Sequence, residues 1–308
     1  MTLPLLRPLG RRPLALLWAG LAASAVGDEL FRVVLGYVAV QALGAAAGYL
    51  AVAQAAAMLA TLLLAGRWLD RAAPLRVMLG ADLARAAALA LLVAAWLVAG
   101  AAPGWALFAA IAALGVGAAA FRPAMQAALP VLAEDRAMLP AANALMDTTE
   151  RIARLVGPGL LVLAAALLPE VHFVTLDGAT FLLSALAIVL IARSRHVPAA
   201  PRLTEGVMAA AWRGVRAVRG HPLLRTMLAI GGLQNGVWMG CYFLAVPLHL
   251  ERQFGSGGLA AFGIVVACYG IGNLGGTLVF GNLALPRRRA PRVFGGILVF
   301  GGATVAMA

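Results

Sequence analysis

Runs of about 20 apolar residues, separated by short basic or glycine-rich turns, recur from one end of this chain to the other. A helix needs about 20 residues to cross the hydrocarbon core of a bilayer. Nine segments meet or approach that length, at approximately 13–40, 49–69, 75–98, 104–129, 141–168, 173–192, 223–250, 259–283 and 292–308. Backbone amides and carbonyls in lipid must be bonded internally, so segments of this kind fold as helices. The pattern predicts an all-α, polytopic membrane protein. Composition agrees. The 308 residues are 63% hydrophobic and 12% charged, with mean hydropathy +0.94. A soluble domain is about half apolar and about a quarter charged, so this chain has too little polar surface to cover a water-soluble fold.

The net charge of +12 is carried by arginine, with no lysine in the chain. A basic chain first suggests nucleic acid, but these arginines do not form one patch. Arg7, Arg11 and Arg12 precede the first span, and Arg67, Arg71 and Arg76 join the second to the third. Arg136 separates the fourth from the fifth, Arg193 to Arg225 the sixth from the seventh, and Arg287, Arg288, Arg289 and Arg292 the eighth from the ninth. The alternate connections hold only Arg252. This is the asymmetry of the positive-inside rule, and it predicts a cytoplasmic amino terminus. The first span is too long for a signal peptide and carries Asp28, Glu29 and Arg32, so it reads as a retained helix. Cys241 and Cys268 lie within apolar runs and read as small buried hydrophobes rather than a disulfide framework.

The longest connection follows the sixth span. From Val207 to Val218 it reads as a short amphipathic helix, with Val207, Met208, Ala211, Trp212, Val215 and Val218 on one face and Arg213 and Arg216 off it. Such a helix suits either an anionic membrane surface or a solvated linker. An internal repeat supports division at this point. GRWLDRAAPLRV at 66–77 and GNLALPRRRAPRV at 281–293 both give a helix end, a glycine, a basic turn and Arg-Val opening the next helix. The expected organisation is a six-helix bundle at 1–195, a linker at 196–222 and a partial second bundle at 223–308. On that plan the chain stops in helix 9 of 12.

The motifs now resemble a known family. Gly66, Asp70 and Arg71, followed by Arg76, are similar to the signature turn of the major facilitator superfamily. Gly27-Asp28 with Phe31-Arg32, FRPA at 121–124, ALP at 128–130 and ANAL at 142–145 resemble its enterobactin-exporter and macrolide-efflux branch. Gly157-Pro158, Leu176-Asp177 and FLLSA at 181–185 extend that likeness over most of the first 195 residues. The resemblance implies two six-helix bundles that rock about a central cavity, and in many exporters a proton drives the cycle. It implies a multi-pass, monomeric protein of a bacterial inner membrane that works as an efflux antiporter.

Ionisable groups inside a membrane are costly and usually face a cavity or a partner. Asp28 lies roughly 22 Å along the first span from Pro13, past its middle. Asp28 and Arg32 are one turn apart and can pair, whereas Glu29 points about 100° away and lacks that partner. This group reads either as a proton or substrate site or as a structural ion pair. Arg154 lies roughly 20 Å along the fifth span from Ala141. It precedes Gly157 and Pro158, where the proline frees a carbonyl and permits a kink. Arg154 suits an anionic substrate or a carboxylate of the first span. Asp28, Glu29, Arg32 and Arg154 are therefore candidate substrate and proton-coupling residues, and the resemblance adds Asp177 to them. Gly66, Asp70, Arg71, Arg76 and Arg122 are the candidate conformational latch, with Asp82 and Arg85 extending it toward Arg122.

No metal-ligand spacing, phosphate loop or Gly-x-Ser-x-Gly occurs, so no cofactor, metal or enzymatic activity is expected. The leading expectation is proton-coupled efflux of a small amphipathic molecule, such as a drug or siderophore. The alternative is a transport-inactive or truncated membrane scaffold or sensor.

Overall fold

The computed structural model describes residues 4–65, 72–165, 167–195, 197–198, 207–255, 258, 261–266, 268–269 and 272. Met1–Cys268 forms one compact unit and Tyr269–Ala308 a second, of which only Tyr269 and Gly272 are described. Gly66, Asp70 and Arg71 of the expected latch, most of the eighth span, the ninth span and the 281–293 repeat lie outside the described residues.

The first unit is built of helices. They are α1 (Arg12–Leu43), α2 (Gly48–Ala60), α3 (Pro74–Ala99), α4 (Gly104–Ala133), α5 (Leu139–Ala165) and α6 (Glu170–Ser194). They continue with α7 (Val207–Gly220), α8 (Pro222–Gly240) and α9 (Val246–Phe254). The helix α2 runs on into a π turn at Thr61–Ala65, and another π turn at Cys241–Ala245 joins α8 to α9. These bounds follow the apolar runs to within a few residues, including the separate amphipathic helix α7. Local chemistry sets the ends. Pro13, Pro74 and Pro222 sit in the first turns of α1, α3 and α8, where a missing N–H costs nothing. Gly44 and Gly100 follow α1 and α3 at φ 55° and 75°, a region costly for a residue with a Cβ.

Within the bundle α1 packs along α6 and α5, α3 along α4 and α6, and α2 along α4. Two apolar clusters fill it. One lies toward the amino-terminal end and includes Leu14, Leu17, Met78, Met125, Leu129, Ile188 and Ile191. The other lies toward the opposite end and includes Val34, Tyr37, Leu89, Leu107, Phe173 and Phe181. Large apolar side chains also cover the outside, with Val98, Leu163 and Leu167 all exposed. That pattern is what a lipid-facing surface requires. Helices α1 through Leu64, α3, α4 and α6 are long and apolar enough to cross a membrane. In α5, Asp147, Glu150, Arg151 and Arg154 interrupt the apolar run.

Two further contacts tie the unit together. Glu134, just past α4 at φ 61°, accepts ion pairs from Arg11 and Arg195. At the other end, the Tyr37 hydroxyl donates to the Gly255 carbonyl at 2.6 Å, and Gly36 lies against the Phe262 ring. The helix α8 buries none of its residues.

Candidate functional site

A polar layer lies between the two apolar clusters. Ser24, Glu29, Asp82, Arg85, Asp177, Thr180 and Ser184 are all buried there, and Asp28 is half-buried. They come from α1, α3 and α6, with α6 packed against both of the others. Glycines allow the approach. A Cβ on Gly27 would stand 2.5 Å from Thr180 Oγ1 and 2.7 Å from Asp177 Oδ1, so only glycine lets α1 lie this close to α6. A Cβ on Gly157 would stand 2.7 Å from Glu29 Cβ, which sets the crossing of α1 and α5. Gly117 of α4 leaves room for the methylene stem of Arg85.

The layer has two parts. On the side facing α5, the Arg32 guanidinium donates to both oxygens of Glu29, at 2.8 and 3.0 Å. This corrects the expected pairing of Arg32 with Asp28. Positions three and four residues apart are both neighbours on a helix, and the longer Glu29 side chain reaches Arg32. Arg154 is exposed and acts electrostatically on Glu29 without an ion pair. Arg85 is the cation that acts on Asp28 most strongly, followed by Arg32.

The inner part is drier. Arg85 donates to Asp82, and its guanidinium carbon lies 4.1 Å from the Phe181 ring centroid and 4.9 Å from that of Phe121. Cation–π contacts of this kind gain strength when water is excluded. Asp82 and Asp177 have no exposed surface. Thr180 Oγ1 donates to the Asp177 carbonyl at 2.7 Å. Asp82 Oδ2, Asp177 Oδ2 and Arg85 Nε have no hydrogen-bond partner among the described residues.

Arg122 bonds Glu150 of α5 at 2.6 and 2.7 Å. The expected extension from Asp82 and Arg85 toward Arg122 is thus replaced. Asp82 and Arg85 point into the bundle, and Arg122 is spent on an exposed pair. Arg76 is exposed in the first turn of α3. Gly157 and Pro158 lie within α5, which continues as helix to Ala165. Sequence reasoning missed Thr180, Ser184, Phe121 and Phe181 as partners of the charged layer. Only the i,i+3 spacing of Asp177 and Thr180 was readable in advance. Among the described residues no group of three or more His, Cys, Asp or Glu side chains is arranged to hold a metal.

Apolar helices enclosing an ionisable layer define a polytopic membrane protein that keeps charge inside the bilayer. Such a layer is costly to keep and is characteristic of proteins that move solutes. A family model, Major Facilitator Superfamily, matches residues 17–308, and the chain belongs to that superfamily of membrane transporters. Comparisons with curated proteins and with solved structures gave no match.

Proposed function

We propose that this chain is a secondary active exporter that exchanges protons for a small amphipathic molecule, a drug or a siderophore, by alternating access. The observation that carries this reading is the ionisable layer at mid-bundle. Carboxylates from α1 and α6 lie there beside arginines from α1, α3 and α5. Glu29 and Asp28 face different neighbours from adjacent positions, so a proton arriving at one alters the field at the other. Arg154 offers a cation that competes with Arg32 for Glu29.

In this reading residues 1–195 form the moving amino-terminal bundle, 196–222 the linker and 223–308 the partner bundle. The amino terminus faces the cytoplasm of a bacterial cell, and the protein acts as a monomer in the inner membrane. Gly66, Asp70, Arg71, Arg76 and Arg122 hold one end state, and Gly157 with Pro158 lets α5 bend during the exchange. The branch of enterobactin exporters and macrolide efflux proteins supplies the expected substrate class.

Reconstitution in proteoliposomes tests this. An imposed proton gradient is expected to drive a fluorescent amphipathic cation or a macrolide across the bilayer, and Glu29→Gln is expected to stop it. Correctly inserted protein that moves no member of such a panel under any gradient overturns the exporter reading in favour of an inactive scaffold.

A further inference from the structure

We infer that Asp28 of α1 and Asp177 of α6 form a hydrogen-bonded carboxyl–carboxylate pair that shares a single proton across the helix contact. Glu29 is matched by Arg32, and Asp82 is matched by Arg85. Both remaining carboxylates, Asp28 and Asp177, lack an ion-pair partner among the described residues. Two carboxylates side by side in a dry site do not both stay ionised. A shared proton removes that repulsion, and the pair then titrates as a unit.

The close crossing of α1 and α6 at Gly27 brings the two positions near one another. Asp177 Oδ1 lies against Gly27, the residue before Asp28, at a spot where a Cβ would come within 2.7 Å. Asp28 is the charged group that acts most strongly on Asp177. Asp177 Oδ2 is fully buried and has no hydrogen-bond partner among the described residues, which leaves it open to a carboxyl–carboxylate hydrogen bond. Arg85 and Arg32 act on both carboxylates from a distance, but each has a closer partner of its own. Arg85 of α3 is held by Asp82 and by the two phenyl rings, and Arg32 of α1 is held by Glu29. From α5, Glu150 acts on Asp28 and is itself bonded to Arg122, while Arg154 faces Glu29. The helix α4 brings Phe121 and no charge to this level, its Arg122 being turned to Glu150.

The two members differ in access. Asp28 is half-buried and Asp177 is sealed. The proton enters through Asp28 and is held behind it by Asp177, so α1 and α6 are joined by a bond that exists only when the pair is loaded. The role of this pair rests on the coupling reading above, while its existence does not.

Infrared spectroscopy of the whole chain in lipid nanodiscs at neutral pH tests it without any substrate. A protonated carboxylic-acid band is expected in the unsubstituted protein, and carbon-13 labelling of aspartate is expected to shift it. Asp177→Asn is expected to remove the band, Asp28→Asn to move or remove it, and Glu29→Gln to leave it in place. The label experiment needs no substitution and stands if a variant fails to fold. No band, a band insensitive to the aspartate label, or one unchanged in folded Asp28→Asn protein overturns the pair. Absent transport with this pattern intact supports the pair and removes only the exporter reading. Gradient-driven transport without the band removes only the pair.

Discussion

Replacing Gly157 by alanine, beside the same change at Gly159, isolates how closely α1 and α5 approach. An added Cβ at Gly157 would stand 2.7 Å from Glu29 Cβ and 3.6 Å from its Cγ. Carbon atoms rest about 3.5–4.0 Å apart, so the helices must separate by about 1 Å. No rotamer change relieves the clash, because a Cβ is fixed by its backbone. Overpacking of this kind costs about 1–3 kcal/mol. Alanine in place of glycine within a helix returns about 1 kcal/mol. A Cβ at Gly159 meets nothing within 4 Å, so only the favourable part applies there. The two variants should therefore differ by about 1–3 kcal/mol. At roughly 2–4 °C per kcal/mol for chains of comparable size, that is a gap of about 2–12 °C in Tm. Thermal stability of detergent-solubilised protein, read by the loss of its monodisperse elution peak, measures it. Equal stability of the two variants, or a more stable Gly157→Ala, refutes the close crossing at Glu29 and the geometry built on it.

Three other outcomes are expected. Asp82→Asn leaves the buried Arg85 charge without its ion-pair partner, a change that costs about 3–5 kcal/mol; elution profiles should show mostly aggregated protein, and Asp82→Leu with Arg85→Met should restore a folded peak. Gly27→Ala should lower Tm, and Thr180→Ala in the same chain should recover part of the loss, because it removes the nearest of the atoms that the new Cβ meets. Tyr37→Phe deletes the hydrogen bond to Gly255 at a cost of about 0.5–1.5 kcal/mol, and hydrogen exchange should show faster opening around Gly255 while the amides of α3 and α6 are unchanged.

Several helices were legible because their apolar runs begin or end in a residue with its own backbone rule. Pro74 opens α3, Gly100 closes it, and Gly44 closes α1. The identity of the charged residues was legible too, since any ionisable side chain in such a run stands out. Their partners were not. Arg32 has carboxylates at both the third and fourth positions before it, and spacing alone does not choose between them. Asp177 is 92 positions beyond Arg85 in the numbering, and only the packing of α3 on α6 brings it near the Asp82–Arg85 pair. Phe121 and Phe181 look like ordinary lipid or core residues until Arg85 is seen between them. The turn at 66–71 lies outside the described residues, so Asp70 and Arg71 stay as the sequence alone placed them.

Glu134 ties the amino-terminal bundle at a single point, and the order of its partners along the chain has a consequence for biogenesis. Arg11 is synthesised first, Glu134 after four helices have been made, and Arg195 only when the sixth is finished. The acceptor thus finds one donor already made and waits only for the second. The tie becomes complete only once Arg195 has been made, so the second half of the fastening comes with the final helix it secures.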